Sequence, residues 1–275
     1  MKIGQEWVSV PVIADVARKQ FEKAGPLRIL RTQYFTTGDA MATKTAIENE
    51  MLSGSSLLFR RIASIGAIAG PVLFLAAWIV LGLLQPMAKT DYGLIGGIAG
   101  AVTNPISALG VGPNAGLFNC AFVFCGLLMI VGVLGALRTA RPVGQPAMRI
   151  WSTVLLALSP IGLVLAGIFT LATSVLMHNV AALLLFVVPL AAFPVSAVYF
   201  RRIPGWQRFG NMLLVAAPLT LVLLVSFVAT FHLSAVVAGT GVAGLTERLL
   251  VSEIHAWYAA IGWQGFRVQK PWNVR

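Results

Sequence analysis

Three histidines and a few hydroxyl, amide and charged side chains are what this chain offers for chemistry. His178, His232 and His255 could hold a zinc ion, with Glu253 as the base of an intramembrane hydrolase, if three separate segments brought them together. No HExxH or comparable spacing links them locally. Glu253 or His255 alone could carry the proton of a small-solute carrier. Asn104, Ser107, Asn119 and Arg248, with the histidines and Glu253, could instead form the polar end of a site for a lipid or other amphiphile. The same groups could simply tie loops and helix ends together by hydrogen bonds. A haem needs histidines paired across helices at one depth, which three scattered residues support poorly. Walker loops, nucleophile elbows and dinucleotide-binding glycines are absent, so nucleotide-driven chemistry has no basis here. Cys120 and Cys125 are five residues apart in one apolar run, about 140° around a helix, and read as small buried hydrophobes that cannot pair. No cofactor or metal is expected.

The elements that must position these groups follow from composition. Of 275 residues, 58% are hydrophobic and 11% charged, with a mean hydropathy of +0.85. A soluble core cannot absorb that excess, whereas helices of about 20 apolar residues crossing a bilayer can. Six such spans are predicted, at residues 62–84, 117–137, 151–173, 180–200, 212–237 and 249–266, giving an all-helical polytopic membrane protein. Residues 151–200 are too long for one crossing and must fold back at Thr173, Ser174, His178 and Asn179. The sixth span is short and carries Glu253 and His255, and could alternatively lie flat at the interface.

The formal net charge is +11, and its location excludes a nucleic-acid surface. Arg60, Arg61, Arg138, Arg141, Arg149, Arg201, Arg202, Arg208, Arg267, Lys270 and Arg275 flank spans on one side, against Lys89 and Arg248 on the other. Short cytoplasmic loops retain Lys and Arg, so both termini and the second and fourth loops are expected inside, in a cell inner membrane. Trp151, Tyr199, Trp206 and Trp263 fall near that face, as an interfacial aromatic belt would.

Residues 1–59 read as a polar tail. Ile13, Val16, Ala17, Phe21 and Ala24 at helical spacing beside Arg18, Lys19 and Lys23 could make a surface helix there, or Met41 or Met51 could be the true start. Residues 60–268 form the membrane domain and 269–275 a cytoplasmic tail. Gly66 with Gly70, and Gly96 with Gly100, match the spacing that lets helices approach closely. Pro71, Pro160, Pro189, Pro194 and Pro218 predict bends wherever neighbours capture the freed carbonyls.

The long connection between the first two spans, residues 85–116, lies outside and holds a stretch, 94–102, too short to cross and therefore interfacial or re-entrant. Its segment Asn104-Pro105-Ile106-Ser107-Ala108-Leu109-Gly110, continuing through Gly112-Pro113-Asn114 to Leu117-Phe118-Asn119, resembles the signature of the uncharacterised DUF 998 membrane family. His178-Asn179 and Gly244-Leu245-Thr246-Glu247-Arg248 fit the same pattern, and the resemblance runs from Arg61 to about Arg267. That family looks distantly similar to the Frag1/DRAM/Sfk1 group of six-helix proteins. The resemblance implies a fold and a connection to lipids, with no catalytic residue to carry over.

Threading places all three histidines toward the outer face, with His255 about 9 Å below the start of its helix. Leu250, Ile254, Tyr258 and Ile261 are expected to face lipid, and Ser252, His255, Ala259 and Gly262 to pack inward. Glu253 lies on another side, so Glu253 and His255 cannot share one narrow site unaided. The resulting expectation is a non-enzymatic membrane protein that binds membrane lipids, with Ser107 and Arg248 holding a head group beneath the outer loop.

Overall fold

Apolar runs of this length satisfy their backbone in a bilayer only as helices, and helices are what they form. The computed structural model describes residues 37–90, 93–140, 146–236 and 241–267. The proposed surface helix at 13–24 and the tail at 269–275 lie outside the described residues. By contacts the chain divides into Met1–Glu50 and a unit from Met51 onward. The packing described below concerns the second.

In chain order the elements are helix α1 (Thr37–Leu84), strands β1 (Ala88–Thr90) and β2 (Gly93–Ile95), a short helix α2 (Gly97–Thr103), a 3-10 turn (Ile106–Val111), then α3 (Ala115–Thr139), α4 (Pro146–Ile168), α5 (Val175–Phe186), α6 (Val188–Phe200), α7 (Gln207–Val236) and α8 (Ala243–Arg267). The predicted tail is thus helical from Thr37. Five stretches are long and apolar enough to cross a membrane: Phe59–Leu84, Ala115–Thr139, Pro146–Ile168, Val175–Phe200 and Gln207–Leu233. The two strands pair antiparallel, Lys89 opposite Leu94. The end of β2 and most of α2 occupy residues 94–102, the stretch expected to be interfacial or re-entrant.

The predicted fold-back is a turn at residues 169–174. The Thr173 amide donates to Thr170 Oγ1 (3.3 Å), and Ser174 caps α5 by accepting the Met177 amide (3.3 Å). Below it the fourth span is broken at Val187. Pro189 has no N–H for the Leu185 carbonyl, which accepts the Ser159 hydroxyl of α4 instead (3.1 Å). Pro160 frees the Leu156 carbonyl in the same way, and Tyr258 Oη donates to it (2.8 Å). Both bends are therefore captured by neighbouring helices, as apolar surroundings require.

α8 falls outside the five apolar stretches because polar residues such as Glu253, His255 and Gln264 dilute its hydropathy, yet it packs against most of the other long helices. It meets α1 at Gly262, which lies against Ser64 and Ala67, α3 at Gly265 against Ala136, α4 through Tyr258, α6 where Phe193 and Tyr258 lie 6.1 Å apart, and α7 through Glu253. Leu250, Ile254, Tyr258 and Ile261, expected to face lipid, are fully buried. The outward stripe is Leu245, Leu249, Ala256 and Trp263. A helix enclosed on most sides needs no hydrocarbon-like surface, so its low hydropathy reflects its place in the bundle.

Gly66 and Gly70 do mark a close approach. A side chain at Gly70 would lie 2.7 Å from the Cys125 carbonyl, and Gly132 and Gly135 of α3 press against Ala67 and Ala63 of α1. Gly96 serves a different purpose: at φ +93° it turns the chain into α2, with the Gln85 and Pro86 carbonyls where a side chain would be.

The arginine-rich helix ends gather at one end of the bundle. Arg60 donates to the Arg138 carbonyl (3.4 Å), Arg61 donates to the Phe266 carbonyl (3.3 Å) and lies over its ring, and Gln264 donates to the Gly205 carbonyl (2.8 Å). Of the expected aromatic belt there, Trp151 and Trp263 are exposed. Tyr199 and Trp206 are buried, Trp206 stacked on Phe200 at 4.6 Å, and belong to the core. Cys125 is buried as expected, whereas Cys120 is exposed on the helix surface.

Candidate functional site

The long loop between α1 and α3 is pinned to the start of α8. The Glu247 carboxylate accepts the Ile106 amide, Arg248 Nη1 donates to the Asn104 carbonyl (2.8 Å), and Asn119 Nδ2 donates to the Gly110 carbonyl (3.0 Å). The guanidinium of Arg248 also lies 5.4 Å over the Trp78 ring of α1. Gly244 leaves no space for a side chain against the Asn104 and Ala101 carbonyls. The two motifs that stand 130 residues and more apart in sequence are thus one contact: residues 104–110 are the piece that residues 244–248 hold.

Beside this contact is a cavity of about 950 Å³. Its rim carries Lys89, Thr103, Asn104, Ser107, His178, Asn179, His232 and Glu247. Its body is apolar, with Phe74 and Phe122 on one side, Ala182 and Phe186 on α5, Phe227, Val228 and Phe231 on α7, and Val251 on α8. The deepest lining residues of α5 and α7, Phe186 and Phe227, meet edge to face at 5.9 Å. From Val175 to Phe186 the α5 wall descends about 16 Å at 1.5 Å per residue. Val175, Val228, Phe231 and His232 line the cavity while remaining exposed, so it opens sideways between α5 and α7. α6 packs firmly on α7, but α5, turned aside by the break at Val187, does not.

Of the residues expected to form a site, Asn104, Ser107, His178 and His232 come together on this rim. His178 donates from Nδ1 to the Phe169 carbonyl (2.8 Å), which fixes its ring against the fold-back turn. Asn104 Nδ2 has no protein partner among the described residues. Four others lie elsewhere. Asn119 points to the loop and borders a separate shallow apolar groove with Val123 and Leu127. Arg248 does not line the cavity: its Nη1 donates to the Asn104 and Gly244 carbonyls (2.8 and 2.9 Å), while its Nε has no partner among the described residues. Glu253 accepts Thr220 Oγ1 (2.9 Å) and Trp257 Nε1 (2.6 Å) between α7 and α8. His255 is fully buried, stacked on Phe74 at 5.0 Å, and donates from Nδ1 to the Val251 carbonyl (2.8 Å).

The three histidines therefore do not converge, and among the described residues no three His, Cys, Asp or Glu groups meet as metal ligands. The three-imidazole hydrolase has no geometric support. Glu247 is the cavity residue that sequence reasoning passed over. Its partner is a main-chain amide 141 residues away, and the only local signal was its place beside Arg248 in the motif.

A family model described as a protein of unknown function, DUF998, matches residues 68–264. No curated protein and no solved structure matches the chain.

Proposed function

The chain belongs to the DUF998 family, whose description names no activity, and from its geometry we propose that it binds a lipid or similar amphiphile in the cavity between α5 and α7. One observation carries this reading: a polar rim at one end of an apolar body that opens sideways. A water-soluble substrate needs polar groups throughout its site and an opening to solvent, whereas an acyl chain needs an apolar wall and a way in from hydrocarbon. The rim supplies hydrogen-bonding groups of both kinds, with Asn104 Nδ2 a donor left over by the fold.

Filling the body tests this. Ala182→Trp and Val228→Trp each place an indole among the lining side chains, while Phe124→Trp alters an exposed position outside the cavity. Lipid retained after purification, measured by native mass spectrometry, should fall about tenfold in the first two, the equivalent of ~1.4 kcal/mol of lost affinity. It should be unchanged in the third. Equal lipid content in all three would end the proposal.

We further propose six crossings, with α8 as the sixth, both termini in the cytoplasm and the cavity in the outer half of a cell inner membrane. The eleven-to-two distribution of basic residues and the gathering of their helix ends support this. Topology reporters fused after Arg141, Arg202 and Arg275 should report the cytoplasm, and one after Gly110 the outside. An external signal at Arg275 would leave five crossings and lay α8 at the interface.

A further inference from the structure

We propose that the amphiphile is recognised by a protonated amine, held by Glu247 at the head of the cavity. This rests on the binding site proposed above and names the chemistry of its polar end. Among the residues lining the cavity, Glu247 is the one carboxylate, and it is only 5% exposed. One of its oxygens accepts the Ile106 amide; among the described residues the other has no protein donor, and no ion pair reaches it. Arg248 follows it in sequence but points elsewhere, Nη1 donating to the Asn104 and Gly244 carbonyls. Lys89 lines the same cavity and is exposed, and among the described residues no ion pair joins it to Glu247.

A carboxylate so nearly buried, with a single neutral donor and Arg248 acting on it only through space, is costly unless a cation joins it directly. An ammonium supplies three donors and no acceptor, and the rim is suited to receive them. Besides the free oxygen of Glu247 it offers the hydroxyl of Ser107. It also offers His178, whose Nδ1 proton is committed to Phe169, leaving Nε2 an acceptor in the neutral ring. An anionic head would meet that carboxylate directly. The apolar body beneath, continuous with the opening between α5 and α7, takes the chain of the same molecule.

The test compares three amphiphiles of one chain length on the purified, delipidated full chain in a non-ionic detergent: tetradecylamine, tetradecanol and tetradecanoate. At neutral pH the amine is protonated. Its binding, read as thermal stabilisation against concentration, should be at least about tenfold tighter than that of the alcohol, the scale of a charge-assisted hydrogen bond, and the carboxylate should be weakest. In Glu247→Gln the amide oxygen can still accept the Ile106 amide, so the loop stays pinned, and the ratio of amine to alcohol affinity should fall to about one. Equal binding of amine and alcohol to the native chain overturns the amine proposal and leaves the amphiphile site standing. A preference surviving Glu247→Gln removes Glu247 from recognition and overturns it too. Failure of all three to stabilise the native chain overturns both readings. The native-chain comparison needs no variant, so it decides even if the substitution impairs folding.

Discussion

Replacing Gly132 by valine should cost the chain its fold. A Cβ at that position would overlap the Ala67 amide nitrogen and come within 2.5 Å of the Ala67 Cα, and neither is the end of a flexible side chain that can turn away. α1 and α3 would have to separate, and the separation propagates. Gly66 and Gly135 lie on the same seam, and Gly262 of α8 rests on Ser64 and Ala67 of the displaced helix. In lipid no hydrophobic force between helices compensates, because association there depends on close van der Waals packing and hydrogen bonds. Overpacking typically costs 1–3 kcal/mol where side chains can adjust, so a clash with backbone should cost about 3 kcal/mol or more. Size-exclusion profiles and thermal denaturation in detergent should show loss of the monodisperse species. Gly116→Val, at a position with nothing within 4 Å, should behave as the native chain. A native melting profile for Gly132→Val would mean that α1 and α3 do not pack on this seam.

The seam shows what kind of information the sequence carries. The extents of the first five spans were legible to within about five residues, because apolar length in a bilayer is fixed by hydrocarbon thickness, whereas the sixth predicted span is not among the stretches apolar enough to cross. The fold-back at Ser174 was legible from a cluster of polar residues in an apolar run. The orientation of α8 was not. In a soluble protein an apolar stripe points to the core, but lipid is as apolar as the core, and Leu250, Ile254, Tyr258 and Ile261 could face either way. Small residues discriminate better, and Gly262, read as inward from its size, does pack on α1.

The site was legible in part, for a related reason. Asn104, Ser107, His178 and His232 lie on separate elements that the threading alone brings to one end, and they do share the rim. Glu247 escaped notice because its meaning depends on the Ile106 amide and on a cavity formed by α5 turning away at Val187. Glu253, more conspicuous as a charge well inside α8, is occupied by Thr220 and Trp257. A charge inside a span marks a position under constraint, and only its partners say whether the constraint is a ligand or the fold.

Arg248 is the sharper case, since from sequence it could equally hold a lipid head group or the protein itself, and the two make opposite predictions. A head-group contact replaced by alanine loses lipid and keeps its fold. Arg248 is 7% exposed, with Nη1 shared between the Asn104 and Gly244 carbonyls and the guanidinium over Trp78. In Arg248→Ala the Asn104 carbonyl loses its donor, at about 1–3 kcal/mol for a buried group left unpaired. Glu247 loses the nearest positive charge, and Trp78 its cation. The loop should therefore release from α8, read as faster proteolysis within residues 104–114 and a lower melting temperature. Lipid would fall as a consequence, in proportion to the unfolded fraction. Arg248→Lys should recover part of the stability, because an ammonium can reach the Asn104 carbonyl but lacks the flat guanidinium that lies over Trp78. If Arg248→Ala instead keeps native stability and protease resistance while losing lipid, the guanidinium is a head-group contact after all. The loop would then have to be held chiefly by Glu247 and Asn119.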